Sequence, residues 1–141
     1  MALLSEDLRD ELQEEFEELP ERVKLVVFTQ EFECAHCREN TSLAQEVAAL
    51  SDKLDIEVHD FVLDKETVQR YEVDKIPAIV VEGEKDYGVR LYGVPAGYEF
   101  TSLIEAIKSV SAGDSGLAPK TRQALAGLKD PLHLQVFVTP T

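Results

Sequence analysis

Val23-Lys24-Leu25-Val26-Val27-Phe28-Thr29 runs into Gln30-Glu31-Phe32-Glu33-Cys34-Ala35-His36-Cys37-Arg38-Glu39-Asn40-Thr41-Ser42-Leu43-Ala44. Apart from Lys24, the first seven residues are apolar or β-branched, which predicts a buried strand. Leu43, Ala44, Val47, Ala48 and Leu50 then recur at helical spacing. The pair Cys34 and Cys37 thus lies where a loop leaves a buried strand and opens a helix.

That placement suits dithiol chemistry. Thiol–disulfide exchange needs one accessible thiolate to attack and a second thiol near enough to resolve the mixed disulfide. A helix start is electropositive and favours a thiolate, lowering a cysteine pKa below its free value of about 8.5. Cys34 is the expected nucleophile, and Cys37, a helical turn inward, the resolving thiol. His36 lies between them; its N–H donors would stabilise a thiolate and make the disulfide more oxidising. Arg38 adds positive charge, which Glu31, Glu33 and Glu39 oppose. The rival reading is half of a zinc site. Structural zinc takes four ligands, and His59 and His133 lack paired-ligand spacing, so no metal is expected.

Upstream, Leu8, Leu12, Phe16 and Leu19 share one helix face, with Ser5 as N-cap and Pro20 ending the segment. Downstream, Ile56–Leu63 reads as a second strand. Asp64 caps a short helix carrying Val68 and Tyr71. Ala78–Val81 makes a third strand, and Val89, Leu91 and Tyr92 a fourth ending at Gly93. Phe100, Leu103, Ile104, Ile107 and Val110 form a further helix. The first strand–helix–strand unit suits a parallel pair, and the last two strands a hairpin. Pro77 directly before a strand has no N–H to pair, and it restricts Ile76 to extended geometry.

The Ser, Gly, Ala and Asp residues around 113–119 read as a linker. Beyond it, 120–128 reads as a helix and 132–138 as a strand, repeating the helix-then-strand pattern of residues 5–29. Residues 1–112 are therefore one unit and 120–141 the start of a second. Leu132, Leu134, Val136 and Val138 share one strand face and Phe137 the other. Such a strand expects cover on both faces, by docking along a sheet edge of its own unit or by pairing with another chain; homodimerisation through this segment is the expectation.

Composition narrows the function classes. With 28 acidic against 14 basic residues, the net charge is −14 and no basic footprint for nucleic acid is visible. No stretch reaches the ~18–20 apolar residues of a membrane span. The acidic N-terminus lacks the basic and apolar regions of a signal peptide, so a cytoplasmic location is expected. Two cysteines cannot staple a miniprotein, and in the cytoplasm a close pair is catalytic or metal-binding rather than structural. Trp is absent, Met is confined to position 1, and Asn occurs once, at Asn40, while Glu is abundant. This points to a heat-adapted source.

The dithiol after the first core strand, with Ile76-Pro77-Ala78 before the third, resembles the thioredoxin superfamily over residues 22–110. The initial helix, Tyr92-Gly93-Val94-Pro95-Ala96-Gly97-Tyr98-Glu99-Phe100 and Leu134-Gln135-Val136-Phe137-Val138-Thr139-Pro140-Thr141 are more specific. They resemble the N-terminal unit of the protein disulfide oxidoreductases, or glutaredoxin-like proteins, of thermophilic archaea and bacteria. Those proteins hold two thioredoxin-fold units in tandem, and here the chain stops before the second dithiol.

The resemblance implies an α/β fold: a central mixed four-stranded sheet flanked by helices, with an extra N-terminal helix and a C-terminal helix–strand extension. It implies Cys34 and Cys37 as the redox pair, no bound cofactor, and a cis Ile76–Pro77 bond whose edge binds an extended peptide. The implied partners are protein disulfides or dithiols and a thioredoxin-reductase-like flavoprotein. The activity implied is protein disulfide oxidoreduction; the alternative is an electron relay coupled to a reductase or a second redox site. Where thioredoxins carry a buried Asp in the first core strand this chain has Phe28, and Glu33 stands where a Trp precedes the dithiol. Proton handling then falls to water or to Glu31 and Glu33.

Overall fold

In the computed structural model, which describes residues 2–139, β1 (Val23–Thr29) runs through the middle of a four-stranded sheet. Its neighbours are β2 (Leu54–Asp60), parallel to it, and β3 (Ala78–Glu82), antiparallel. β4 (Arg90–Tyr92) pairs antiparallel with β3, which gives the order β2-β1-β3-β4. The parallel pair is joined through α2 (Cys37–Ala48), since parallel strands need a crossover connection. This is the expected mixed sheet. Leu25, Val26, Val27 and Phe28 have no exposed surface, as a continuous apolar run demands.

Alternate residues of β1 serve two cores. Leu25 and Val27 pack in a cluster with Leu12 and Phe16 of α1 (Glu6–Glu17), Val47 of α2, and Leu103 and Ile107 of α4 (Tyr98–Ala112). Val26 and Phe28 pack with Tyr71, Val73, Ala78 and Val80, beside α3 (Lys65–Arg70). The added N-terminal helix begins as expected, with Ser5 Oγ accepting from the Leu8 N–H at 3.3 Å. Glu46 of α2 ties that end down by accepting from the backbone N–H groups of Leu3 and Leu4 and from Arg9. Ser111, buried near the end of α4, accepts from the Glu21 N–H and donates to the Glu21 carbonyl. Gly83 lets α4 approach closely: a Cβ there would lie 2.7 Å from Val110 Cγ1.

Three expectations are corrected. β2 runs from Leu54 to Asp60, not from Ile56 to Leu63. Asp60 Oδ1 accepts from the N–H groups of Val62 and Leu63, at 2.8 and 2.9 Å, and this side-chain turn ends the strand. Asp64 occupies the N-cap position of α3, but its carboxylate turns back to accept from the Asp60 N–H and makes no cap bond. In the tail, α5 (Pro119–Ala126) forms, but 132–138 does not become a strand. That segment has no strand to pair with among the described residues, and Leu132, Leu134, Val136, Phe137 and Val138 are all exposed. No helix among the described residues is long and apolar enough to cross a membrane.

Candidate functional site: the Cys34–Cys37 disulfide

β1 delivers the chain at Thr29 into a loop braced by Gln30, whose Nε2 donates to the Phe32 carbonyl. Glu33 follows in the left-handed region, at φ 57°. Few residues other than glycine take that conformation, and it cannot continue a right-handed helix. The helix therefore starts after it. Cys37 is the first residue of α2 and His36 its N-cap, so Cys34 stands ahead of the helix, in the turn that leads into it. The expectation that Cys37 sits one turn inside is corrected to that extent.

Cys34 and Cys37 form a disulfide with a Cα–Cα separation of 5.5 Å. Their access differs. Cys37 is 1% exposed, covered by the body of the domain, whereas Cys34 is partly open to solvent. Beside Cys34 opens a cavity of about 520 Å³, lined among others by Gln30, Arg38, Thr41, Gln45 and Asp60. The sequence reading missed this polar hollow; the only signal was that Arg38, Thr41 and Gln45 fall on the non-apolar side of the helix.

His36 is largely exposed, with Nδ1 3.7 Å from Glu39 Oε2. Glu31, Glu33 and Arg38 are exposed around the motif. Phe28, in the place of the thioredoxin acid, is fully buried; its ring lies 5.8 Å from that of His59 and 5.9 Å from that of Tyr71. His59 in turn bonds to Glu57 at 3.1 Å. His59, with help from Lys24, holds the Glu57 carboxyl below its ordinary value against the effect of burial. His133 lies in the exposed tail. No cluster of His, Cys, Asp and Glu among the described residues could hold a metal ion.

The Ile76–Pro77 bond is cis, as the family resemblance implied. Ala78 pairs with Phe28, so Ile76 and Pro77 lie at the same end of the sheet as the dithiol loop. The Pro77 carbonyl accepts from the Gly93 N–H at 2.9 Å, while Ile76 has no backbone hydrogen bond among the described residues. The loop into this edge is anchored at Tyr71, whose carbonyl accepts from Nε and Nη2 of Arg90. Arg90 also makes a bidentate pair with Asp86, at 2.8 and 2.6 Å.

Sheet order, flanking helices, cis proline and a disulfide at the mouth of the central strand define a thioredoxin-fold redox domain. The family described as thioredoxin domain matches residues 23–105, and the chain belongs to that family. A protein disulfide oxidoreductase from Aeropyrum pernix superposes with a TM-score of 0.81 at 30% identity, over 92% of this chain and 57% of that one. The F component of the alkyl hydroperoxide reductase of Staphylococcus epidermidis is 29% identical over 99% of this chain, which spans 25% of that relative. The corresponding Enterococcus faecalis protein shares the fold, with a TM-score of 0.77 at 23% identity over 91% of this chain and 62% of that one.

The Arg90–Asp86 pair gives a pH test. Hydrogen bonding to Arg90 holds the Asp86 carboxyl below its ordinary value of 3.8. A carboxyl depressed on folding stabilises the fold above its unfolded pKa, and that contribution is lost as pH falls through the folded value. Asp86→Asn is expected to lower the urea midpoint at neutral pH. The gap to the unaltered chain should close as pH drops below 3.8, in urea titrations of the two proteins side by side.

Proposed function

We propose that the chain is a protein thiol–disulfide oxidoreductase, exchanging its Cys34–Cys37 pair with disulfides or dithiols of other proteins. The observation that carries the reading is the unequal access of the two sulfurs, with Cys34 open and Cys37 covered. In the oxidising direction a substrate thiolate attacks Cys34 Sγ. The bond to Cys37 breaks, and Cys37 leaves as a thiolate that takes a proton. A second substrate thiolate then attacks the substrate sulfur of the mixed disulfide and expels the Cys34 thiolate. The substrate has lost two electrons and the chain has gained them; reduction of a protein disulfide is the reverse.

In this reading Ile76 and Pro77 bind the substrate. The unpaired Ile76 backbone groups suit an extended peptide laid along the edge beside the dithiol. His36 modulates the pair from its exposed position at the start of α2. A thioredoxin-reductase-like flavoprotein is the proposed electron donor, and the cytoplasm the proposed compartment. No bound cofactor or metal enters the exchange. A second reading is favoured by the match of nearly the whole chain to the F component of alkyl hydroperoxide reductase. In that reading this chain relays electrons between a reductase and another redox site and does not attack protein substrates.

Residues 113–119 are proposed as a linker and 120–141 as the start of a second unit, consistent with the 57% of the Aeropyrum protein that this chain spans. The exposed apolar segment 132–138 is proposed to pair with the same segment of a second copy.

An insulin-reduction assay with dithiothreitol separates the two readings, because turnover supports the oxidoreductase and redox cycling without turnover the relay. Cys34→Ser is expected to abolish turnover, and Cys37→Ser to stop after one attack in a trapped mixed disulfide. Alkylation of the reduced chain, mapped by mass spectrometry, should label Cys34 first; preferential labelling of Cys37 reverses the assignment. His36→Gly is expected to make the couple more reducing in a glutathione titration, by up to a tenfold change in equilibrium constant, which is about 30 mV. Sedimentation should show the 141-residue chain self-associating and a chain ending at Ser115 monomeric; two monomers dismiss pairing through the tail.

A further inference from the structure

Asn40 stands in α2 three residues beyond Cys37, with its side chain fully buried. Neither its Nδ2 nor its Oδ1 has a hydrogen-bond partner among the described residues. Ser111, the other buried polar residue of the described chain, is satisfied by Glu21 through both its donor and its acceptor. An amide withdrawn from water and left unpaired carries its whole desolvation penalty, and folded proteins rarely keep one. Helical residues three apart are neighbours on one face, and side chains lean toward the helix N-terminus. Asn40 therefore shares a buried helix face with Cys37, three residues before it, whose sulfur is engaged in the disulfide. Phe28 supplies no polar group to this interior, since it packs among Tyr71, Val73 and Ala78.

We propose that Asn40 is a thiolate-stabilising residue for Cys37, unpaired in the oxidised chain and paired once the disulfide is reduced. The inference rests on the reading of Cys34 and Cys37 as the cycling pair. In the disulfide, the Cys37 sulfur carries neither a proton nor a charge. Reduction by a dithiol breaks the S–S bond, delivers two electrons and two protons, and leaves the reductant as a disulfide. Cys37 then bears an S–H that donates to Asn40 Oδ1. When that proton passes to water during the resolving step, the thiolate accepts from Nδ2–H. One amide serves both states of the reduced sulfur, and it favours the reduced chain over the oxidised one.

The test is Asn40→Leu in the full chain, which keeps the branched shape and heavy-atom count of the side chain and removes both polar atoms. Each protein is equilibrated with reduced and oxidised dithiothreitol, and its thiols are counted by alkylation. Each is also unfolded in urea, oxidised and reduced. The variant is expected to be more stable than the unaltered chain when oxidised, because an orphaned amide is gone, but not when reduced. Its equilibrium constant for reduction should fall about tenfold, or about 30 mV toward more reducing. A merely structural Asn40 would move both forms alike and leave the constant unchanged, which overturns the proposal. If the variant does not fold, the side-chain NH2 resonances of Asn40 in the unaltered chain decide. They should shift, and exchange more slowly with solvent, on reduction; unchanged resonances overturn the proposal. An unaltered chain that dithiothreitol cannot cycle would refute the redox reading itself, separately from Asn40.

Discussion

β1 is hydrogen-bonded along both edges and covered on both faces, so its end at Thr29 is the fixed point from which the dithiol loop departs. Leu25 and Val27 lock it to α1, α2 and α4, and Val26 and Phe28 to the α3 side. Removing one such side chain, as in Leu25→Ala, costs about 2–5 kcal/mol in a well-packed core, a sizeable part of the ~5–15 kcal/mol that holds a domain folded. The same packing restrains the proline edge beside the dithiol loop. β3 pairs with β1 from Phe28 to Lys24, so the start of β3, and with it Pro77, is set by the register of the central strand. Loop 30–36 has only to span a short gap between a rigid strand end and a helix that the core already holds.

Much of this was legible in the order of the residues. A run from Val23 to Thr29 with one interruption reads as a doubly covered strand because no other element buries every residue in so short a span. The helical spacing of Leu12, Phe16, Leu43, Val47, Leu103 and Ile107 identified the faces that meet. Strand ends were less legible, because they depend on side chains that compete with the backbone. Asp60 ends β2 by capturing two N–H groups, and nothing in the alternation of 56–63 announces that choice. The tail failed for another reason. Alternation makes 132–138 suitable for a strand, but a strand exists only where another is available to pair with it.

Within the site, the cysteines and the proline were visible as motifs, while the unequal burial of the two sulfurs was not. It depends on where α2 begins, and that follows from the backbone at Glu33, a residue with no intrinsic preference for the left-handed region. Asn40 could have been noticed from its position alone. It is the single asparagine of the chain, and it falls on the helix face otherwise filled by Cys37, Leu43, Ala44 and Val47. Composition reported its rarity, but only packing shows that its amide is shut in without a partner.

The sheet's two free margins have a consequence for how such units can be joined. β2 is lined by Asp55, Glu57 and His59, and its charges are engaged sideways by Arg22 and Lys24 from β1 and the residue before it. On the opposite margin, β4 is three residues long. A foreign strand gains little by adding at either place: on one side it must strip water from a row of charges, and on the other it finds almost no ladder to extend. Charged and short margins of this kind disfavour edge-to-edge addition of one such sheet to another.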